Sequence, residues 1–228
     1  MKNYIKNYKQ LYKFLLNIRE ILRILYNTKT RSRFFWTIRN GDNTLSLDYP
    51  LDENSVIFDV GAYEGNFTKK INQKFNCNIH CFEPLTKYYN FLVEEFKEFP
   101  KVRLYNFGLL DQDKEIKISN IDGSSSIYQR PEGDVKTIVN MKSFESFVKE
   151  NNITHIDFLY MNIEGSEYKV LNQILDTGLI NDINYMQIQF HNFVKDSKKM
   201  RRLIRYKLRK THKCVFNFPF IWERWDRK

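Results

Sequence analysis

Residues 55–67 read SVIFDVGAYEGNF, an apolar run that ends in an aspartate and passes into a turn holding Gly61 and Gly65. Such a run bounded by a glycine turn predicts a strand buried on both faces, hence a parallel strand covered by helices. The turn predicts a helix that begins directly above the strand's carboxyl end, where ligands of doubly wound sheets sit. The same alternation continues downstream: 56–60, 78–82 and 102–107 read as strands, 66–75 and 87–98 as helices.

The alternation then breaks. EIKIS at 115–119 and VKTIVN at 135–140 alternate like exposed strands around NIDGSSSIYQRPEGD, a stretch rich in turn formers. We read an inserted hairpin with a long tip. Beyond it come a helix over 143–150, strands over 156–161 and 185–190 with a helix over 168–175 between them, a basic helix over 198–210, and a last β pair in CVFNF and FIWERW.

At 228 residues and 42% hydrophobic content the chain can bury one sizeable core, so one domain over 41–228 is expected, preceded by a basic helical extension over 1–40. The charge is segregated. Residues 1–40 carry ten Lys/Arg against one acid, residues 195–228 carry thirteen against three, and the middle is acidic. Basic ends suit an anionic partner, and do not choose between nucleic acid, a membrane surface and an acidic glycan.

Leu11, Leu15, Ile18, Leu22 and Leu25 recur at helical spacing, with no uninterrupted aliphatic or aromatic run longer than Phe14–Leu16. That excludes a membrane span and a signal peptide, and leaves an amphipathic helix. Its expected partner is the chain's own domain or a second subunit; residues 1–26 also suit peripheral contact with an anionic membrane. Cys77, Cys81 and Cys214 form neither a disulfide framework nor a zinc knuckle, so a cytoplasmic setting is expected, with at most attachment to the inner membrane face.

The strand ends form a set. The first supplies Asp59, Gly61, Ala62, Gly65 and Asn66; the second, HCFEP, supplies Glu83 and Pro84; the third supplies Asn106 and Gly108. Glu83 follows Asp59 by twenty-four residues, where a carboxylate can accept both ribose hydroxyls of a nucleoside. A dinucleotide fingerprint would need glycine where Tyr63 and Asn66 stand, and a P-loop would need a GK[ST] sequence that is absent. A nucleoside with an amino-acid arm and no phosphate fits better: S-adenosylmethionine, its methionine end facing Asp59 and the Gly61 turn, its adenine near Asn106 and Gly108.

FDVGAYEGNFT, CFEP, SSSIY and IDFLYMNIEGSEYKVL together resemble the FkbM-type family of S-adenosylmethionine-dependent methyltransferases, over about residues 55–192. THKCVFNFPFIWERW is similar to the ending of some members. The resemblance implies the class I methyltransferase fold, a Rossmann-like α/β architecture with a seven-stranded mixed sheet and helices on both faces. It also implies O-methylation of a sugar or polyketide hydroxyl, and from it we expect a sugar or glycan precursor of a bacterial surface polysaccharide.

Where the family motif has Lys and Asp, this chain has Met161 and Asn162, and an amide can neither take a proton nor ligate a metal well. No metal-ligand set is read here, although a divalent ion would be compatible with the chemistry. A hydroxyl acceptor needs a base. His191, at the end of the fifth strand, is the expected base, with His212 in reserve. Glu164 is expected at the acceptor and Glu167 as a helix cap. Ser125, Tyr128, Phe190, Asn192, Trp222 and Glu223 are expected around the acceptor.

Two other readings are compatible with the sequence. The basic, aromatic-rich ends suit RNA methylation, although the acidic middle would repel a polyanion and NIEG is not the Asn/Asp-Pro-Pro-aromatic turn of base methylation. Asn162 suits a catalytically impaired scaffold.

Overall fold

The apolar run at 55–67 folds as the centre of a seven-stranded sheet. A computed structural model describes residues 18–121, 124–126 and 136–228. The main sheet contains β1 (Val56–Val60), β2 (Asn78–Phe82), β3 (Val102–Tyr105), β8 (Ile156–Met161), β9 (Ile183–Ile188), β10 (His212–Phe218) and β11 (Trp222–Arg227). Their order is β10-β11-β9-β8-β1-β2-β3. β1 pairs in parallel with β2 and β8, and β8 with β9. β11 runs antiparallel to both of its neighbours.

The chain moves outward from β1 through β2 to β3 and then returns to β8 on the other side, so the order reverses between β1 and β8. A crevice opens at such a reversal. Both faces are covered, as the continuous apolar strands require. Ile57 and Ile79 pack with Ile71 of α3 (Asn66–Phe75) and Leu92 of α4 (Thr86–Glu95). On the opposite face Phe58, Val60 and Leu159 pack with α5 (Phe144–Glu150), α6 (Glu167–Asp176) and α7 (Ser197–Leu208).

Between β3 and α5 the chain builds a second sheet from β4 (Gly108–Leu110), β5 (Lys114–Ile121), β6 (Ser124–Ser126) and β7 (Lys136–Ser143), ordered β4-β7-β5-β6. β5 and β7 form the expected hairpin, pairing from Lys114↔Met141 to Ser119↔Lys136. The single strand read over 102–107 is instead two. Asn106 Nδ2 donates to the carbonyls of Glu83 and Pro84 at 3.1 and 3.4 Å, which turns the chain away, and Gly108 then pairs with Met141.

Residues 18–26 form α1, followed by α2 (Thr28–Ile38) with Asn27 as its N-cap. α2 packs through Trp36, whose ring lies 5.4–6.3 Å from those of Phe216, Phe218 and Trp222. Its indole Nε1 donates to Asp42 at 3.0 Å.

Candidate active site

At the β1/β8 reversal the two strand ends nearly touch. A Cβ on Gly61 would lie 2.2 Å from the carbonyl oxygen of Asn162, and Gly61 has φ +88°, so glycine is required twice over. Gly65 answers a different demand: its φ is +71°, and a Cβ there would meet Phe96 and Leu92 of α4 at 2.5–2.8 Å. It allows α3 to start close to α4.

A cavity opens above the reversal. Its floor is Gly61, Glu83, Pro84, Asn162 and Glu164; its wall is Ile116, Ile118 and Met141 of the second sheet, with Gly108 and Tyr63 at its edge. The inserted hairpin therefore covers the site through β5 and β7. Tyr128 lies outside the described residues, and Ser125 is placed on β6 by its backbone pairing with Asn120.

Glu83 is buried and holds two backbone N–H groups, that of Tyr63 on Oε2 and that of Leu85 on Oε1, each at 2.9 Å. Burial nevertheless raises its pKa to about 7, against the pull of those two donors. Asp59 lies beneath the loop, on the α3 side. Its Oδ2 accepts from Thr68 Oγ1 at 2.6 Å while its Oδ1 is buried without a partner. Burial, with the charge of Glu83 adding to it, raises Asp59 to about 7 against the Thr68 bond. Asn162 Oδ1 is likewise buried and unpartnered. Ala62 is buried in the turn and Asn66 is exposed at the start of α3.

Beside the cavity stands a chain of three side chains. Glu167, fully buried in the first turn of α6, accepts from Gly165 N at 2.8 Å and from His191 N at 2.7 Å, and its Oε1 lies 3.3 Å from His191 Nδ1. His191 Nε2 lies 3.4 Å from Glu164 Oε1. Burial alone would lower the His191 pKa, yet the bonds and charges of Glu164 and Glu167 override it and raise the value to about 9. His191, the expected base, is not among the residues that line the cavity, and the two carboxylates that flank its ring favour its protonated form. Glu164 lines the cavity and His191 stands behind it. Glu164 is also held at φ +45°, a backbone strain of the kind found at functional sites.

Other expected residues lie elsewhere. His212 begins β10 at the far end of the sheet, its Nε2 3.0 Å from the carbonyl of Ile183. Trp222 is buried against Trp36 and Tyr160. Glu223 is buried in ion pairs with Arg201 and Arg205 of α7, and Phe190 is core, packed on Tyr168. None of the four lines the cavity. Asn192 lines a separate cleft with Lys29 and Arg33.

Residues 59–218 match the family model described as the Methyltransferase FkbM domain. No curated protein sequence matches the chain. Among solved structures it is similar to SMU.1697c of Streptococcus mutans, a chain assigned as a methyltransferase and solved in complex with SAH, S-adenosylhomocysteine. That match has 11% identity, TM-score 0.53 and coverage of 84% of this chain and 97% of that one. It is also similar to a chain of Clostridium thermocellum assigned as an rRNA methylase, with 8% identity, TM-score 0.53 and coverage of 83% and 94%. These likenesses concern the fold, which is that of class I methyltransferases.

The residues fit S-adenosylmethionine. A carboxylate stands on the cavity floor at Glu83, and Asn162 Oδ1 beside it is a buried acceptor without a donor.

Proposed function

The chain belongs to the FkbM methyltransferase family, and from that premise we propose that it methylates a hydroxyl of a sugar or glycan precursor, of the kind built into bacterial surface polysaccharide. The observation that carries this reading is Glu164, a cavity-lining carboxylate backed by a cationic histidine. Such a group can take the proton of a neutral alcohol.

S-adenosylmethionine, when bound, supplies a sulfonium-activated methyl group for in-line displacement. Glu83 would hold its ribose hydroxyls, and the Gly61 turn, with Asp59 buried beneath it, its amino-acid end. Glu164 accepts the hydrogen bond of the acceptor hydroxyl and removes its proton. Glu167 fixes His191, and the charge of the His191 ring, 3.4 Å from Glu164, draws that carboxylate into place beside the cavity. Asn162 orients the hydroxyl through its amide without competing for the proton. The aliphatic wall of Ile116, Ile118 and Met141 keeps water from the reacting centre. Three free cysteines, two of them buried, suit work in the cytoplasm.

Incubating the purified protein with methyl-labelled cofactor and a panel of sugar nucleotides and short glycans, followed by mass spectrometry, tests the reading. Label on a sugar hydroxyl is the expected result. Label found on RNA alone would replace it with the nucleic-acid reading.

A further inference from the structure

We propose that helices α1 and α2 form a docking surface for an anionic lipid bilayer. Ile18, Ile21, Leu22 and Leu25 follow one another at helical spacing on α1 and are 37%, 56%, 46% and 57% exposed. On α2, Phe34, Phe35 and Ile38 are also exposed, while Trp36 packs that helix against β10 and β11. Large apolar side chains left exposed on two consecutive helices mark an interaction surface.

The charge on the same segment selects the partner. Residues 18–40 carry Arg19, Arg23, Lys29, Arg31, Arg33 and Arg39 against the single acid Glu20, which is already bonded to Arg23 at 2.9 Å. A second copy of the chain would bring this face against itself and set cation against cation, since a two-fold interface repeats the same patch on both sides. A bilayer with anionic headgroups complements both features, receiving the apolar side chains at its acyl boundary and the guanidinium groups at its headgroups. Among the described residues no helix is long and apolar enough to cross a membrane, so the pair lies on the surface.

The surface carries a cleft whose Lys29 feels the charge of the cavity-lining Glu164. Arg23, Lys29 and Arg33 line one cleft with Asn192, the residue after His191. Lys29 is drawn below its usual pKa by burial and by Arg33, while the charge of Glu164 opposes the shift. Docking through α1 and α2 thus places this cleft beside the headgroups. The docking itself does not depend on which acceptor is methylated.

Co-sedimentation of the full chain with vesicles tests the proposal, comparing equal parts phosphatidylcholine and phosphatidylglycerol with phosphatidylcholine alone, at low and high salt. The chain should sediment with the anionic vesicles, release as salt rises, and largely ignore the zwitterionic ones. The double variant Leu22→Glu, Leu25→Glu should bind roughly tenfold more weakly or less, with unchanged melting and unchanged cofactor affinity by calorimetry. The proposal is overturned if the full chain stays in the supernatant, or if the double variant sediments equally well. It is also overturned if sedimentation velocity finds a dimer that the same variant dissociates and that vesicles do not compete.

Discussion

Glu164, His191 and Glu167 illustrate how neighbours decide what a side chain can do. A histidine at the end of a strand invites the role of base, yet two carboxylates within 3.4 Å favour its protonated form. Glu164→Gln is expected to lower kcat roughly a hundredfold or more, the usual share of a general base, while calorimetry finds cofactor affinity unchanged. His191 acts through Glu164, so His191→Gln should lower kcat and also remove a limb of the pH profile. In the wild type kcat falls as pH rises through about 9, where the imidazolium is lost; the variant's profile should be flat there. A variant that keeps that limb would detach His191 from Glu164. Glu83 supplies a second pH effect. With a pKa of about 7, it must ionise to accept two ribose hydroxyls. Cofactor affinity should therefore rise about tenfold between pH 6 and pH 8, and Glu83→Gln should lose most of that dependence.

The turn from β1 into α3 is an element whose sequence leaves little freedom. Gly61 and Gly178 have nearly the same φ, +88° and +83°, yet a Cβ at Gly178 meets nothing within 4 Å while one at Gly61 meets the Asn162 carbonyl at 2.2 Å. Both alanine substitutions carry the left-handed penalty of about 1–2 kcal/mol. Gly61→Ala should cost at least about 2 kcal/mol more in urea unfolding, because a backbone oxygen between two central strands cannot step aside. Equal costs would mean that β1 and β8 are looser than the packing implies. The glycine spacing that makes this turn necessary is also what made it legible. The same holds for β5 and β7, where EIKIS and VKTIVN alternate visibly. What stayed hidden depends on contacts between distant residues. The break after β3 comes from Asn106 bonding to Glu83 and Pro84. Glu167 reads locally as a helix cap, and only the fold brings it to His191, twenty-four residues on. Glu223 stands at the right end of β11 for an acceptor contact but is claimed by Arg201 and Arg205. The cavity wall of Ile116, Ile118 and Met141 carries no local sign of its role beyond strand alternation.

Across the whole molecule, three buried titratable groups pull stability in one direction with pH. Asp59 rises from 3.8 to about 7, Glu83 from 4.5 to about 7, and His191 from 6.5 to about 9. Each folded value lies above the unfolded one, so each stabilising share is complete below the unfolded value and is lost as pH climbs through the folded value. The window is about pH 4 to 7 for the two carboxyls and 6.5 to about 9 for the histidine. For the carboxyls this is the reverse of ordinary acid denaturation, because burial favours their neutral forms. At roughly 1.4 kcal/mol per pKa unit, each amounts to a few kcal/mol, a large fraction of a domain's net stability. Asp59 offers the cleanest test, since one oxygen is bonded to Thr68 and the other has no partner. Asp59→Asn keeps an acceptor for Thr68 and removes the charge that burial opposes. Near pH 4 the variant should melt close to the wild type; by pH 8 it should melt several degrees higher, the gap opening as Asp59 ionises in the wild type. Melting curves that stay parallel across this range would show that Asp59 ionises in the folded chain without a burial penalty. Widening of the gap would instead show that the site holds a carboxylate against the interests of the fold, as expected where binding rather than stability sets the residue.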